Sequence, residues 1–490
     1  MDAAFFQFDP GDYPAFQAKV RGVVPHDPFA GSALREIVLQ EDGIFELPAL
    51  LRRMAPGLSD VAVVMDKTPM YRAGASLKPL VLQLLTQNGY QVTVIKLEGD
   101  AYGIVHPDFE RVEVVRQQVR PGMIVIGLGS GVIADICKYA CFMVDQANPG
   151  RSPVPLVSIP TANSVPAFSS SLAIISRDGV KRTWPTRLPD AILYDLQTLR
   201  DCPHPLTLGG LGDMCAMYIA SVEWYLGVAL GVVADSPASR AILNDARALL
   251  VQHAAAMGEQ SLAGMEILAK ILTLGGLAMT FAGDSTPMSG YEHGMAHLLD
   301  MSAGHFQRSI RNHGSQVAVG GIYVLIGLET FLARFDPATV VVDRCYPDFE
   351  VMEARIRGVF AEIDPSGAMG AECWRDYHKK LVAWQKVRPG FERLLENWDE
   401  VRQAMQRLLL PARTYAGMLH AAGHPMTFAE LDVPEEQVHW AYRHAYMLRK
   451  RLSTTDLLAF MNWMDARWEQ DVFAAAAGLV RDVRQFPPPF

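Results

Sequence analysis

Apolar positions fall into two regimes along this chain. From Glu36 to about Arg200, short aliphatic runs alternate with helix-like stretches. VAVVM (61–65) precedes LKPLVLQLLTQNG, and QVTVIKL (91–97) follows. MIVIGLGSG (123–131) leads into IADICKYACFMV, and VPLVSIP (154–160) is a further unbroken apolar run. Runs of this length without polar alternation suit strands buried on both faces. Their alternation with helices predicts a parallel sheet covered by helices. After Pro205 the period changes. The segments 211–231, 236–257, 262–283, 290–302 and 315–333 carry helical apolar spacing and few strand signals, which predicts an all-helical second domain. Residues 334–400 are charged and Trp-bearing and read as an insertion at about 340–400; 401–464 is helical again. The expected organisation is an extension (1–34), an α/β domain (35–204), a helical domain (205–464) and a tail (465–490).

Composition narrows the class. A chain of 490 residues exceeds one ordinary core, and half of it is hydrophobic. The formal charge of −9 argues against nucleic acid or an anionic membrane as partner. The run Arg449-Lys450-Arg451 reads as a solvated helix face. The start, MDAAFFQFDPGDYP, lacks the basic and apolar pattern of a signal peptide. The apolar run Val317 to Leu328 is shorter than the roughly 18 residues of a membrane helix and reads as a buried helix. Six scattered cysteines make no disulfide framework, and Cys137 and Cys141 read as small buried residues. A cytoplasmic protein is expected.

Three features carry chemistry. GLGSG (127–131) lies where a strand meets a helix. Glycines there allow a tight turn and a close backbone approach, and the helix start offers N–H groups to a phosphate. Val132 stands where a GxGxxG fingerprint needs its last glycine. Asp66 closes the strand VAVVM, placed either for ribose hydroxyls or as a turn residue. His293 and His297 are one helical turn apart and His313 lies further on. Asp213 sits in the apolar stretch GLGDMCAMYIA, where a carboxylate needs a partner. One aspartate and two histidines leave open positions on a divalent metal; ordinary core histidines are the other reading.

Taken in order, these segments resemble the sn-glycerol-1-phosphate dehydrogenase family, within the iron-containing alcohol dehydrogenase, glycerol dehydrogenase and dehydroquinate synthase superfamily. GLGSGVIADICKY is similar to that superfamily's GSGxxxD segment. SIPTANSVPAFSSS (158–171), GLGDMCAMYIASVEWYL (210–226), MSGYEHGMAHLLDM, HGSQVAVG (313–320) and MLRKRLSTTDLL resemble further family motifs. The likeness runs from about Glu36 to about Phe460 and breaks across 340–400. It implies a dehydroquinate synthase-like fold: an α/β nucleotide-binding domain, then an all-helical domain. Asp213, His293 and His313 carry over as metal ligands and His297 as the proton-relay histidine. Gly127, Gly129, Ser130 and Gly131 would hold the pyrophosphate, with Asp135 on the helix behind. Thr161, Ser164 and Ser170 would line the nicotinamide side. NAD or NADP and one divalent metal are implied, zinc first, with nickel and iron compatible. So are a small-molecule substrate, phosphorylated in the family, and a homo-oligomer of at least two chains.

The chain departs from the family at Pro166, where an aspartate faces the substrate, at Met217 in place of a lysine, and at Ser315 and Gln316 after the HG pair. Arg308 and Arg311 are the candidate phosphate-binding residues. The expected activity is metal-dependent, NAD(P)-linked interconversion of a small ketone, such as dihydroxyacetone phosphate, and its alcohol. The rival readings are a cyclase-like lyase with tightly bound NAD, a member with a changed substrate, and a non-catalytic binding module.

Overall fold

The computed structural model describes residues 8–100, 103–177 and 180–488; the first seven residues of the expected extension lie outside it. The strands of the main sheet are β1 (Glu36–Gln40), β2 (Asp60–Met65), β3 (Gln91–Lys96), β4 (Ile124–Gly129), β5 (Leu156–Pro160) and β6 (Ala191–Asp195). The helices used below are α1 (Tyr13–Val23), α2 (Leu77–Gln87), α3 (Gly131–Ala147), α4 (His204–Met214), α5 (Met217–Leu230), α6 (Pro237–Gly258), α7 (Leu262–Ala282), α8 (Tyr291–Met301), α9 (His313–Arg334), α10 (Ala368–Lys386), α11 (Glu435–His444) and α12 (Thr454–Phe460).

Contacts divide the chain into two compact units. One comprises Met1–Arg177, Lys181–Met214 and Ser236–Ser285; the other is chiefly Cys215–Asp235 and Thr286–Phe490. This grouping cuts the chain differently from the linear division expected above, because it places α6 and α7 with the sheet. In the same unit, α1 packs on α6 with Tyr13, Phe16 and Val20 buried, so the expected extension contributes core.

The first unit is the expected α/β arrangement. Its sheet is wholly parallel, in the order β1-β6-β5-β4-β2-β3. Every residue of β4, β5 and β6 is buried, which is why these strands read as continuous apolar runs. The period of two is still visible in the packing. Val61 and Val63 join the layer of Leu77, Val81 and Leu85 from α2, while Ala62 and Val64 join that of Ile133, Ile136 and Ala140 from α3. Strand order reverses between β2 and β4. The crevice beyond their carboxyl ends is therefore a topological switch point, where open α/β sheets take ligands.

The segment after β5, Thr161 to Ser171, is clamped from several sides. Lys138 of α3, 1% exposed, donates to the carbonyls of Ala167, Ser170 and Leu172. The Asn163 amide donates to Met265 O and the Ser169 hydroxyl to Thr273 O, both on α7. Two helical glycines admit the segment. A Cβ on Gly210 would lie 1.8 Å from Asn163 O, and one on Gly276 2.1 Å from Ser169 Oγ and 2.5 Å from Pro166 O. The Pro166 carbonyl thus packs directly on α7.

The second unit is helical among its described residues. Ala216, Ala296 and Val317 form a small-residue core that lets α8 and α9 pack closely. By length and composition α7 and α9 could each cross a membrane, but 72% and 78% of their apolar windows are buried within the protein. They are core helices, as expected for Val317 to Leu328.

Gly276→Ala forces its new methyl against the backbone of Pro166 and the Ser169 hydroxyl. It should destabilise the protein by about 1–3 kcal/mol, the usual cost of overpacking, read as a lowered thermal midpoint.

Candidate active site

At the switch point, β2 and β4 are paired in register with Val64 opposite Gly127, and β4 and β5 with Gly129 opposite Pro160. Asp66, the glycine turn and Thr161 therefore leave the same edge of the sheet. The Thr161 N–H donates to Gly129 O at 3.1 Å. Ser130 caps α3 in extended conformation, and Gly131 opens the helix. A Cβ on Gly131 would lie 2.2 Å from Val165 Cγ2, so a side chain there would collide with the 161–171 segment. The turn and the 17-residue helix behind it form a cradle of the kind that accepts a pyrophosphate. Thr161 and Ser164 are buried beside it.

The other nucleotide candidates are placed differently. Asp66 accepts from Thr68 N and Oγ1 and lies 3.0 Å from Lys78 Nζ, so its carboxylate is already neutralised. Asp135 points into the protein, where it pairs with Lys138 at 3.0 Å and accepts from Ile174 N. Burial raises its carboxyl against the pull of Lys138. The Ser170 hydroxyl accepts from Leu172 N. Asp135 and Ser170 belong to the Lys138 clamp and not to the glycine turn, because on α3 Asp135 shares the face of Lys138, one turn on. Lys138 itself was missed. Its position three residues after Asp135 on an apolar helix was the available signal.

The histidines form one cluster. His293 and His297 share a face of α8, and His313 is the first residue of α9. Ring centroids lie 6.5 Å (His293–His297), 5.5 Å (His293–His313) and 5.0 Å (His297–His313) apart. His293 Nδ1 is 2.9 Å from Glu292 Oε1, which turns the opposite nitrogen, Nε2, away from that carboxylate. Glu292 is fully buried, and the same oxygen accepts from Gly290 N. Behind His313, Nδ1 lies 3.7 Å from Asp300 Oδ2, and Gln316 Nε2 donates to Asp300 Oδ1 at 2.8 Å. Sequence reasoning missed Glu292 and Asp300, although both are acids in the quoted helix motif.

Asp213, His293 and His313 each offer one ligand atom, and these atoms lie within 4.8 Å of one another. One carboxylate and two imidazoles, with Glu292 hydrogen-bonded to one imidazole and Asp300 3.7 Å from the other, is a donor set that fits a divalent metal and leaves coordination positions for substrate. His297 stands beside this set without being part of it.

Two expectations are corrected. Arg308 is engaged within the protein: it donates to Gln437 Oε1, Ser309 O and Leu299 O, and burial lowers its pKa. The run 449–451 is not simply a solvated face, since Arg449 donates to Ser289 Oγ and Arg451 to Ser289 O and Thr286 Oγ1. Arg311 lies 3.4 Å from the exposed Asp432. Met217 is fully buried.

The family model for iron-containing alcohol dehydrogenases matches residues 38–203, the stretch that carries most of the parallel sheet. A glycerol-1-phosphate dehydrogenase [NAD(P)+] of Bacillus subtilis is 25% identical over 419 residues, covering 85% of this chain and 89% of the relative. That of Thermofilum pendens is 30% identical over 292 residues, 59% of this chain and 76% of the relative. The crystal structure of glycerol dehydrogenase from Schizosaccharomyces pombe has the same fold, with a TM-score of 0.52 at 16% identity over 90% of this chain and 91% of that one. The fold is that of the iron-containing alcohol dehydrogenases, a class of oxidoreductases. Within that class the chain belongs to the glycerol-1-phosphate dehydrogenase family.

Glu292→Gln keeps the shape but weakens the hold on His293. It should lower metal affinity roughly 10–100-fold, as loss of an outer carboxylate does, measured by competition against a chelator. Burial, then Glu292, pushes the Glu223 carboxyl up to about 8, from 4.5. The folded state keeps a proton that the unfolded chain releases, so stability falls as pH rises through that interval. Glu223→Gln should lose less of its thermal midpoint than the parent between about pH 5 and pH 8.

Proposed function

We propose that this protein catalyses reversible hydride transfer between a nicotinamide dinucleotide and a small ketone, dihydroxyacetone phosphate or a close analogue. The products are the corresponding secondary alcohol and the oxidised cofactor. The observation that carries the reading is the cluster of Asp213, His293 and His313, with Glu292 hydrogen-bonded to the His293 ring. When bound, the metal supplies Lewis-acid polarisation of the substrate oxygen and the nicotinamide supplies the hydride.

The chain's own residues do the rest. Asp213, His293 and His313 would hold the metal, with zinc as the proposed ion and nickel or iron compatible. Gly127, Gly129, Ser130 and Gly131 would present the turn and the α3 N-terminus to the pyrophosphate. Asp66, bridged to Lys78, stands at the neighbouring strand end, where a ribose hydroxyl is bound in such sheets. Thr161 and Ser164 flank the turn. His297, 5.0 Å from His313 between ring centroids, would give the proton to the substrate oxygen and take it back in the reverse direction. Pro166 offers no side-chain acceptor, so substrate hydroxyls must find other partners than the family's aspartate.

The test pairs metal analysis of the purified protein with oxidation of NADH and NADPH in the presence of dihydroxyacetone phosphate. Stoichiometric metal and turnover are expected, and His297→Ala should lower kcat by about 10²–10⁴-fold with metal content unchanged. Protein that takes up no metal would overturn the reading. Protein that binds metal but leaves the ketone unreduced would move the substrate away from dihydroxyacetone phosphate.

A further inference from the structure

The segment across which the family resemblance breaks sends one charged residue into the interior. Lys380 on α10 is 2% exposed. Its ammonium lies 2.8 Å from Asp456 Oδ1, donates to Tyr446 O and sits 4.6 Å from the centre of the Tyr377 ring. Asp456 is fully buried, and its other oxygen accepts from Ser453 N and Oγ, both at 2.8 Å. Those bonds close a capping box at the start of α12. Burying both charges costs several kcal/mol per ion, so a well-packed apolar pair would serve stability as well. The pair is better explained by what it fixes.

What it fixes leads to the histidines. The segment just before the capping box carries Arg449 and Arg451, and both grip Ser289, one through its hydroxyl and one through its carbonyl. The next residue, Gly290, donates its N–H to Glu292 Oε1, the oxygen that also holds His293. From the other side the Thr454 N–H donates to Glu223, whose carboxylate is 3.2 Å from the point a Cβ on Gly290 would occupy. Hydrogen bonds joined by short stretches of backbone thus run from α10 to the carboxylate behind His293.

We propose that Lys380 is a positioning residue of the metal site: by anchoring Asp456 it fixes the 449–454 segment, and through Ser289 it sets the Glu292–His293 pair. The inference rests on the metal-site reading above. The segment at 340–400 is on this view part of the site's supporting wall.

The experiment compares the full-length parent with Lys380→Met, Lys380→Arg and the pair Lys380→Met with Asp456→Asn. Zinc affinity of the metal-free proteins is read by chelator competition, and kcat and KM are read at saturating metal. The neutral pair removes the uncompensated buried charge, so it should recover the thermal midpoint lost in Lys380→Met. It should still bind zinc about tenfold more weakly than the parent, with kcat reduced more than KM. Lys380→Arg should keep most of the affinity. Val20→Ala, which trims the buried face of α1 against α6, supplies a destabilised control whose zinc affinity should stay at the parent's value. A neutral pair that binds zinc within twofold of the parent would reduce Lys380 to a folding role and overturn the proposal while leaving the metal site standing. A parent that takes up none of zinc, nickel or iron would sink the metal-site reading and this inference with it.

Discussion

A carboxylate with no exposed surface has to be satisfied by its neighbours, and Glu292 organises the region around it for that reason. One of its oxygens takes both the Gly290 N–H and the His293 ring. That single contact fixes the ring's orientation and ties it to the backbone at the start of α8. On the other side Asp300 of α8, held by the Gln316 amide of α9, stands 3.7 Å from His313 Nδ1. The His293 ring is therefore held by a group that is itself held, as the ligands of metal sites commonly are.

The nucleotide side is built on a different constraint. Parallel strands end on one edge of the sheet, and the reversal of strand order leaves a crevice there. The glycine turn meets that crevice, while the 161–171 segment is kept in place by a buried lysine on α3 and by glycines on α4 and α7. Rigidity comes from the Lys138–Asp135 pair and the backbone carbonyls it gathers. The ligand face is left to the backbone of the turn.

The departures from the family pattern are absorbed locally. Gln316 became the neutral donor that holds Asp300. Pro166 lost a side-chain acceptor, but its carbonyl lies against α7 where only glycine fits.

The strand–helix alternation up to about Arg200 and the helical regime after it were legible because local periodicity reflects which face of each element is buried. So were the glycine turn and the meeting of Asp213, His293 and His313, the latter once five motifs stood in order. The partners of polar residues were not legible. Asp135, Ser170 and Arg308 looked like ligand groups and proved to be spent on the protein, while Lys138, Glu292 and Lys380 looked ordinary and proved to be anchors. A sequence states which residues carry charge. Only tertiary packing decides which charges lose their water, and a charge without water must take the partner that packing brings.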